Sequence, residues 1–285
     1  MILKQLYLES VQSLADVGVA EPEVEAALLL GQVLGYSRTQ FFLALKQEIS
    51  PQHLALFNSL LFRRLSREPL AYITGEQEFW SLPFKVSSQV LIPRPETEEL
   101  LEKIFATLRQ FGLPPGPLLD LGVGSGAISV ILARELPERL VFGVDFSLDA
   151  LRVAKENIVR HQVQSRIFLV NGDWLAAIKQ ESRFALAVSN PPYIDATTLG
   201  NLQPEVRDFE PHRALCGGAD GLFEIRTLAA QVHRVMLSGG HFFMEIGADQ
   251  QEAVLKIFAS FREYDRLQVH SDLAGLPRIF QARRC

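Results

Sequence analysis

The sequence predicts an α/β protein: a mostly parallel, seven-stranded sheet wrapped by helices and preceded by a small helical bundle. Two observations carry this reading. From Pro117 onward, short apolar runs alternate with helical patterns, as expected of parallel strands joined by crossover helices. Before Tyr72, apolar residues recur at helical spacing, with capping signals between the runs.

The bundle comes first. Leu6, Val11, Leu14 and Val17 approximate one helical face. Pro22 opens a second helix at its first position, with Glu23 and Glu25 in the turn where the dipole favours anions, and Gly35 closes it. Ser37-Arg38-Thr39-Gln40 has the form of a capping box, so Ser37 caps a third helix through Phe41, Phe42 and Leu45. Ser50-Pro51 opens a fourth, carrying Leu54, Phe57, Leu60, Leu61 and Leu65. Residues 1–73 hold no catalytic constellation and are expected to serve recognition or packing.

Residues 74–95 read as a linker. The alternation of Phe79, Leu82, Phe84, Val86 and Val90 fits a hairpin, and Pro93 and Pro95 stiffen the connection to the next helix. Glu96 or Thr97 begins that helix, which runs to about Leu108 and opens an α/β domain over 96–285. Its strands are expected at about 117–121, 140–145, 166–170, 184–189, 239–245, 264–270 and 277–282, with a long loop from Asn190 to about Gly221. Ligands then belong at the carboxyl ends of the strands.

Bulk properties narrow the class. The chain has 285 residues, 48% of them apolar, and a net charge of −5, without the basic stripe of a dedicated nucleic-acid binder. Two cysteines, Cys216 and Cys285, make neither a disulfide scaffold nor a thiolate zinc site, and a reducing cytoplasm is the expected compartment. Lys4, Glu9 and Asp16 interrupt the first apolar residues, which fits no signal peptide, and no apolar run reaches the ~18 residues of a membrane span. The six histidines show no metal spacing, so no metal is expected.

Three strand ends carry ligand chemistry. The first is Asp120-Leu121-Gly122-Val123-Gly124-Ser125-Gly126, where glycines let the backbone turn tightly against a ligand. Gly122, Gly124 and Ala127 also satisfy the dinucleotide pattern. Asp120 shifts the balance, because a carboxylate repels a pyrophosphate but suits the ammonium of a methionine moiety; S-adenosylmethionine is favoured over NAD. Asp145 ends the second strand and can accept both ribose hydroxyls, or it caps the helix at 148–159, a role Ser147 could also fill. Asp173 and Trp174 end the third; they suit an adenine amino group and a purine face, or else a cap and a core aromatic.

The fourth strand, Phe184–Val188, runs into Asn190-Pro191-Pro192-Tyr193. Two prolines stiffen the exit and leave the Asn190 carboxamide and the Pro191 carbonyl as a rigid pair of acceptors beside an aromatic ring. Such a pair suits a planar NH2 group. An amide or aromatic amine is a poor nucleophile whose lone pair is conjugated, so catalysis must hold both hydrogens and aim the nitrogen at a methyl donor. Asn190, Pro191 and Tyr193 are the expected catalytic residues, with Pro192 completing the acceptor-binding segment and Asn190 also expected to border the cofactor. The residues alone leave amides, DNA and RNA open as acceptors.

A resemblance narrows this. Glu68-Pro69-Leu70-Ala71-Tyr72-Ile73-Thr74-Gly75, Leu91-Ile92-Pro93-Arg94-Pro95-Glu96-Thr97-Glu98, the glycine loop, Asp145, Asn190–Tyr193, Phe209-Glu210-Pro211, Ala214-Leu215, Gly217-Gly218, Asp220-Gly221 and Glu245-Ile246-Gly247 together resemble the protein-(glutamine-N5) methyltransferases of the HemK or PrmC family, over essentially the full length. The resemblance implies a Rossmann-like seven-stranded class I methyltransferase domain behind a helical N-terminal domain. It further implies a release factor as protein substrate, methylated on the glutamine of its Gly-Gly-Gln loop, with the bundle gripping that partner. A monomer without membrane or direct nucleic-acid binding is expected. The competing readings are glutamine methylation of a ribosomal protein and adenine-N6 methylation of DNA.

Overall fold

The computed structural model describes every residue except Ser182. The chain forms two compact units: residues 1–76 with 203–209, and residues 77–202 with 210–285.

The first unit is helical. Its elements are α1 (Leu3–Asp16), α2 (Pro22–Leu34), α3 (Arg38–Leu43), α4 (Pro51–Leu65) and α5 (Leu70–Thr74). Pro22 occupies the first turn of α2, and Gly35 closes it in the left-handed conformation. Ser37 and Gln40 form the full capping box of α3, and Ser50 caps α4 by accepting from the His53 amide. The core gathers Leu3, Leu6, Leu29, Leu30, Phe41 and Phe57. Val17 is exposed, because α1 ends at Asp16. Residues 203–209, containing the later helix α9 (Pro204–Phe209), join this unit, where Glu205 meets Arg67 at 2.7 Å and Arg64 at 3.0 Å. Arg64 is buried and also pairs with Glu25, so its charge is neutralised where water cannot reach it.

From its second residue on, the hairpin of β1 (Glu76–Phe79) and β2 (Leu82–Lys85) belongs to the second unit, and its Phe79 and Phe84 lie in the main core. Helix α6 (Pro95–Phe111) comes next. Pro95 is its first residue and no side chain caps it; Thr97, expected as a start signal, is buried and spends its hydroxyl elsewhere. The sheet contains β3 (Leu118–Leu121), β4 (Val141–Asp145), β5 (Ile167–Asn171), β6 (Phe184–Ser189), β7 (Met236–Glu245), β8 (Tyr264–Ser271) and β9 (Pro277–Arg284). Between them lie α7 (Ala127–Glu135), α8 (Leu148–Arg160), α10 (His212–Leu215), α11 (Phe223–Gln231) and α12 (Gln251–Ala259). The expected long loop after β6 thus contains two short helices, α9 and α10, and a 3-10 turn at Leu199–Asn201.

The strand order is β5-β4-β3-β6-β7-β9-β8, parallel except for β9, which runs antiparallel to both neighbours. The chain steps outward from β3 to β5, then returns to place β6 on the other side of β3. That reversal leaves a crevice at the carboxyl ends of β3 and β6. The inner strands are buried on both faces, as the continuous apolar run Phe184–Val188 requires. Among the described residues, no helix is long and apolar enough to cross a membrane, and no cluster of His, Cys, Asp or Glu could hold a metal ion.

Candidate active site

Register brings the expected ligand-bearing ends together. Asp145 pairs with Asn171, and Leu121 lies between Val144 and Ser189. The segments beginning at Gly172, Phe146, Gly122 and Asn190 therefore leave the sheet side by side. They border a cavity of about 730 Å3. Its wall includes Gly122, Val123, Gly124 and Ser125 of the loop, Asp145, Asp173, Trp174, Asn190 and Pro192.

The glycine loop is built by its glycines. Gly122, Gly124 and Gly126 all have positive φ. At Gly126 a Cβ would also come within 3.2 Å of Ala154 on α8, so a larger residue would push loop and helix apart. Asp145 fixes the loop further: its Oδ2 accepts from the Gly124 amide at 2.9 Å and its Oδ1 from the Ser147 amide at 2.8 Å. Ser147, not Asp145, caps α8. Burial raises the Asp145 carboxyl, and these two amides pull it back. A carboxylate offers about four lone-pair sites, so two remain for hydroxyls in the cavity.

Asp120 is placed differently from the other acids. It is fully buried beneath the loop, off the cavity wall, with Oδ2 accepting from Ser129 at 2.6 Å. Its Oδ1 has no hydrogen-bond partner among the described residues. Burial, with the charge of Asp145 adding to it, pushes the carboxyl up to about 7. A buried acidic group beneath the glycine loop sets a negative charge behind it, complementary to an ammonium group held on the loop.

Asp173 is exposed on the wall. Trp174, at φ +45°, lies against Gly122, and its indole N–H donates to Glu224 on α11 at 2.6 Å. Pairing with Glu224 explains how a half-buried tryptophan is held at the cavity edge.

At the tetrapeptide, Ser189 anchors the strand end by donating to the Leu121 carbonyl at 2.7 Å. Asn190 donates its side-chain amide to Thr97 at 3.1 Å. Neither the Asn190 Oδ1 nor the Pro191 carbonyl accepts a hydrogen bond from the described residues, so both keep unused acceptor capacity. Pro191 is buried and Tyr193 half-buried, and neither belongs to the cavity wall. Tyr193, expected to flank a flat acceptor group, has its hydroxyl tied to Glu245 at 3.1 Å, which fixes the plane of its ring. Glu245 also accepts from Thr97 at 2.7 Å. Burial pushes the Glu245 carboxyl up, and the bonds from Thr97 and Tyr193 and the charge of Arg278 pull it back. Gln250 completes the frame, donating to the carbonyls of Tyr193 at 2.9 Å and Gly221 at 3.1 Å.

The far wall is held by Glu210. It accepts from the Ile92 amide at 3.2 Å and pairs with Arg94, tying the segment before α6 to that before α10. Glu210, Glu224, Glu245 and Gln250 have no individual chemical signal in the sequence, and Thr97 carries only that of a helix start. Thr97, Glu210 and Glu245 stand out there otherwise only as parts of the family resemblance.

Comparison with known proteins agrees with this architecture. Residues 5–75 match the family model of the PrmC N-terminal domain, and residues 97–202 that of the methyltransferase small domain. A release factor glutamine methyltransferase from Caulobacter vibrioides is 40% identical over 245 residues, covering 86% of this chain and 84% of that protein. The chain belongs to the release factor glutamine methyltransferase family. Another release factor glutamine methyltransferase, from Koribacter versatilis, is 38% identical over 288 aligned residues, covering 100% of this chain and 99% of its own. Among solved structures, a methyltransferase from Pyrococcus furiosus superposes with a TM-score of 0.51 at 16% identity, over 72% of this chain and 90% of that one. At that identity the likeness speaks for the class I methyltransferase fold alone.

Proposed function

We propose that this chain transfers a methyl group from S-adenosylmethionine to the side-chain amide nitrogen, N5, of the glutamine in the Gly-Gly-Gln motif of peptide chain release factors. The observation that carries the reading is the adjacency of two loops on paired strands. The unpaired acceptors Asn190 Oδ1 and Pro191 carbonyl lie just past β6, one strand from the glycine loop at the end of β3.

S-adenosylmethionine supplies an activated methyl group and needs no further activation. The residues fit it: the remaining lone pairs of Asp145 for the ribose, Asp173 with Trp174 for the adenine, and the carboxyl of Asp120, buried beneath the loop, as counter-charge for the ammonium. Asn190 and Pro191 would accept the two amide hydrogens of the glutamine. Holding both hydrogens turns the nitrogen lone pair toward the methyl and stabilises the positive charge that grows on nitrogen. The N–C bond forms as the S–C bond breaks, S-adenosylhomocysteine leaves, and the proton passes to water. The helical unit is proposed to recognise the release factor, with the chain acting as a cytoplasmic monomer.

The test is incubation of the purified chain with methyl-labelled S-adenosylmethionine and, separately, release factor, ribosomes or duplex DNA, followed by mass spectrometry. Label on the Gly-Gly-Gln glutamine is expected. Label confined to a ribosomal protein or to adenine would overturn the reading.

A further inference from the structure

The Asn190 carboxamide has to present oxygen, not nitrogen, to an NH2 acceptor, and a planar amide fits its site either way round. The surrounding hydrogen bonds choose. Thr97 has one hydroxyl proton, and at 2.7 Å from Glu245 Oε2 it is spent on the carboxylate. At its 3.1 Å contact with Asn190, Thr97 can then only accept. Asn190 must therefore turn its NH2 to Thr97 and its Oδ1 the other way. The second oxygen of Glu245 accepts from Tyr193 at 3.1 Å, so one buried carboxylate holds both ends of the tetrapeptide. Thr97 and Glu245 come from α6 and β7, far from β6 in sequence, and Glu245 is nearly inaccessible at 1% exposure.

We propose that Glu245, acting through Thr97, is a positioning residue that sets the orientation of the Asn190 amide for methyl transfer. This role rests on the proposed glutamine methylation. Reversal of the amide would aim an N–H donor at the N–H donors of the acceptor, which repels the bound amide and leaves the growing charge unstabilised. Glu245 is off the cavity wall, so it acts on the substrate only through Thr97 and Asn190.

The experiment compares wild type, Thr97→Val, Thr97→Ser and Glu245→Gln. It measures kcat and KM on purified release factor, with S-adenosylhomocysteine affinity by calorimetry. Thr97→Val keeps the shape and removes the hydroxyl. Its kcat is expected to fall about tenfold or more, with cofactor-product affinity within about threefold of wild type. Thr97→Ser restores the hydroxyl and should return kcat to within about threefold. Glu245→Gln removes the buried charge at constant volume. Its amide cannot accept from Thr97 and Tyr193 together, so kcat should again fall about tenfold. If Thr97→Val does not fold, Glu245→Gln decides by the same criterion. An active wild type with kcat within about threefold in the folded variants overturns the positioning role alone. So does a loss of cofactor-product affinity equal to the loss of kcat, which marks a structural role. A wild type that methylates no release factor overturns the function on which both rest.

Discussion

Asp145 Oδ2 accepts the backbone amide of Gly124 at 2.9 Å, so the acid that ends β4 also clamps the loop at the end of β3. The two proposed cofactor elements are thus one mechanical unit. Asp145→Ala should remove the contacts proposed to the ribose and loosen the loop together. Since hydrogen bonds to a charged group are worth about 1.5–3 kcal/mol each, S-adenosylmethionine affinity should fall on the order of thirtyfold or more. Calorimetry checks this, and an unchanged dissociation constant would refute it.

Asn190→Ala separates chemistry from cofactor binding. The substitution removes one of the two acceptors proposed for the amide hydrogens but leaves the glycine loop and Asp145 in place. Methyl transfer should drop below detection while cofactor affinity stays within about tenfold, because one lost amide contact costs about 1 kcal/mol. Full activity in the variant, measured by label transfer to release factor, would remove Asn190 from the reaction.

Asp120 gives a pH signature. Its carboxyl rises from 3.8 to about 7 on folding, chiefly through burial. Between those values the native chain keeps a proton that the unfolded chain has released, so the group's contribution to stability falls as pH rises and is lowest above about 7. Asp120→Asn should therefore match wild type in melting temperature near pH 4 and exceed it near pH 8, by roughly 2–4 °C per kcal/mol relieved. The same substitution should weaken S-adenosylmethionine binding, since the ammonium loses its counter-charge. It should also flatten the tightening of wild-type affinity between about pH 5.5 and 7. A variant less stable than wild type at pH 8, or one with undiminished affinity, would contradict the assignment.

Much of this fold is legible in local sequence because its signals are local. The run Phe184–Val188 is continuous because β6 is buried on both faces, and Ser37 with Gln40 declares a helix start through two hydrogen bonds within one turn. The glycine loop and the tetrapeptide are likewise short segments. What local pattern does not carry is pairing across the chain. Thr97 looks like a cap, yet its hydroxyl serves Glu245, 148 positions away. Tyr193 looks like a flat wall for substrate, and nothing nearby in sequence tells that the same carboxylate takes its hydroxyl. The helices α9 and α10 are too short for a period to show, and α9 belongs to the helical unit through Glu205 and two arginines distant in sequence.

Gly221 tests the frame around the tetrapeptide without touching a reacting group. Its φ is +70°, and a Cβ there would lie 2.4 Å from the Tyr193 carbonyl and 2.7 Å from the Gln250 side-chain nitrogen. Those two atoms are themselves hydrogen-bonded, so neither yields without moving the segment that carries Asn190. Gly221→Ala should therefore lower kcat by about tenfold to a hundredfold, the penalty of misplacing a reacting group by about 1 Å. The control is Gly35→Ala, at φ +68° with no atom within 4 Å of the new Cβ. It shares the left-handed strain, about 1–2 kcal/mol of stability, but meets no neighbour. It should lower the melting temperature and leave kcat unchanged. Equal kcat in the two variants would mean that the contact with Tyr193 does not position the site.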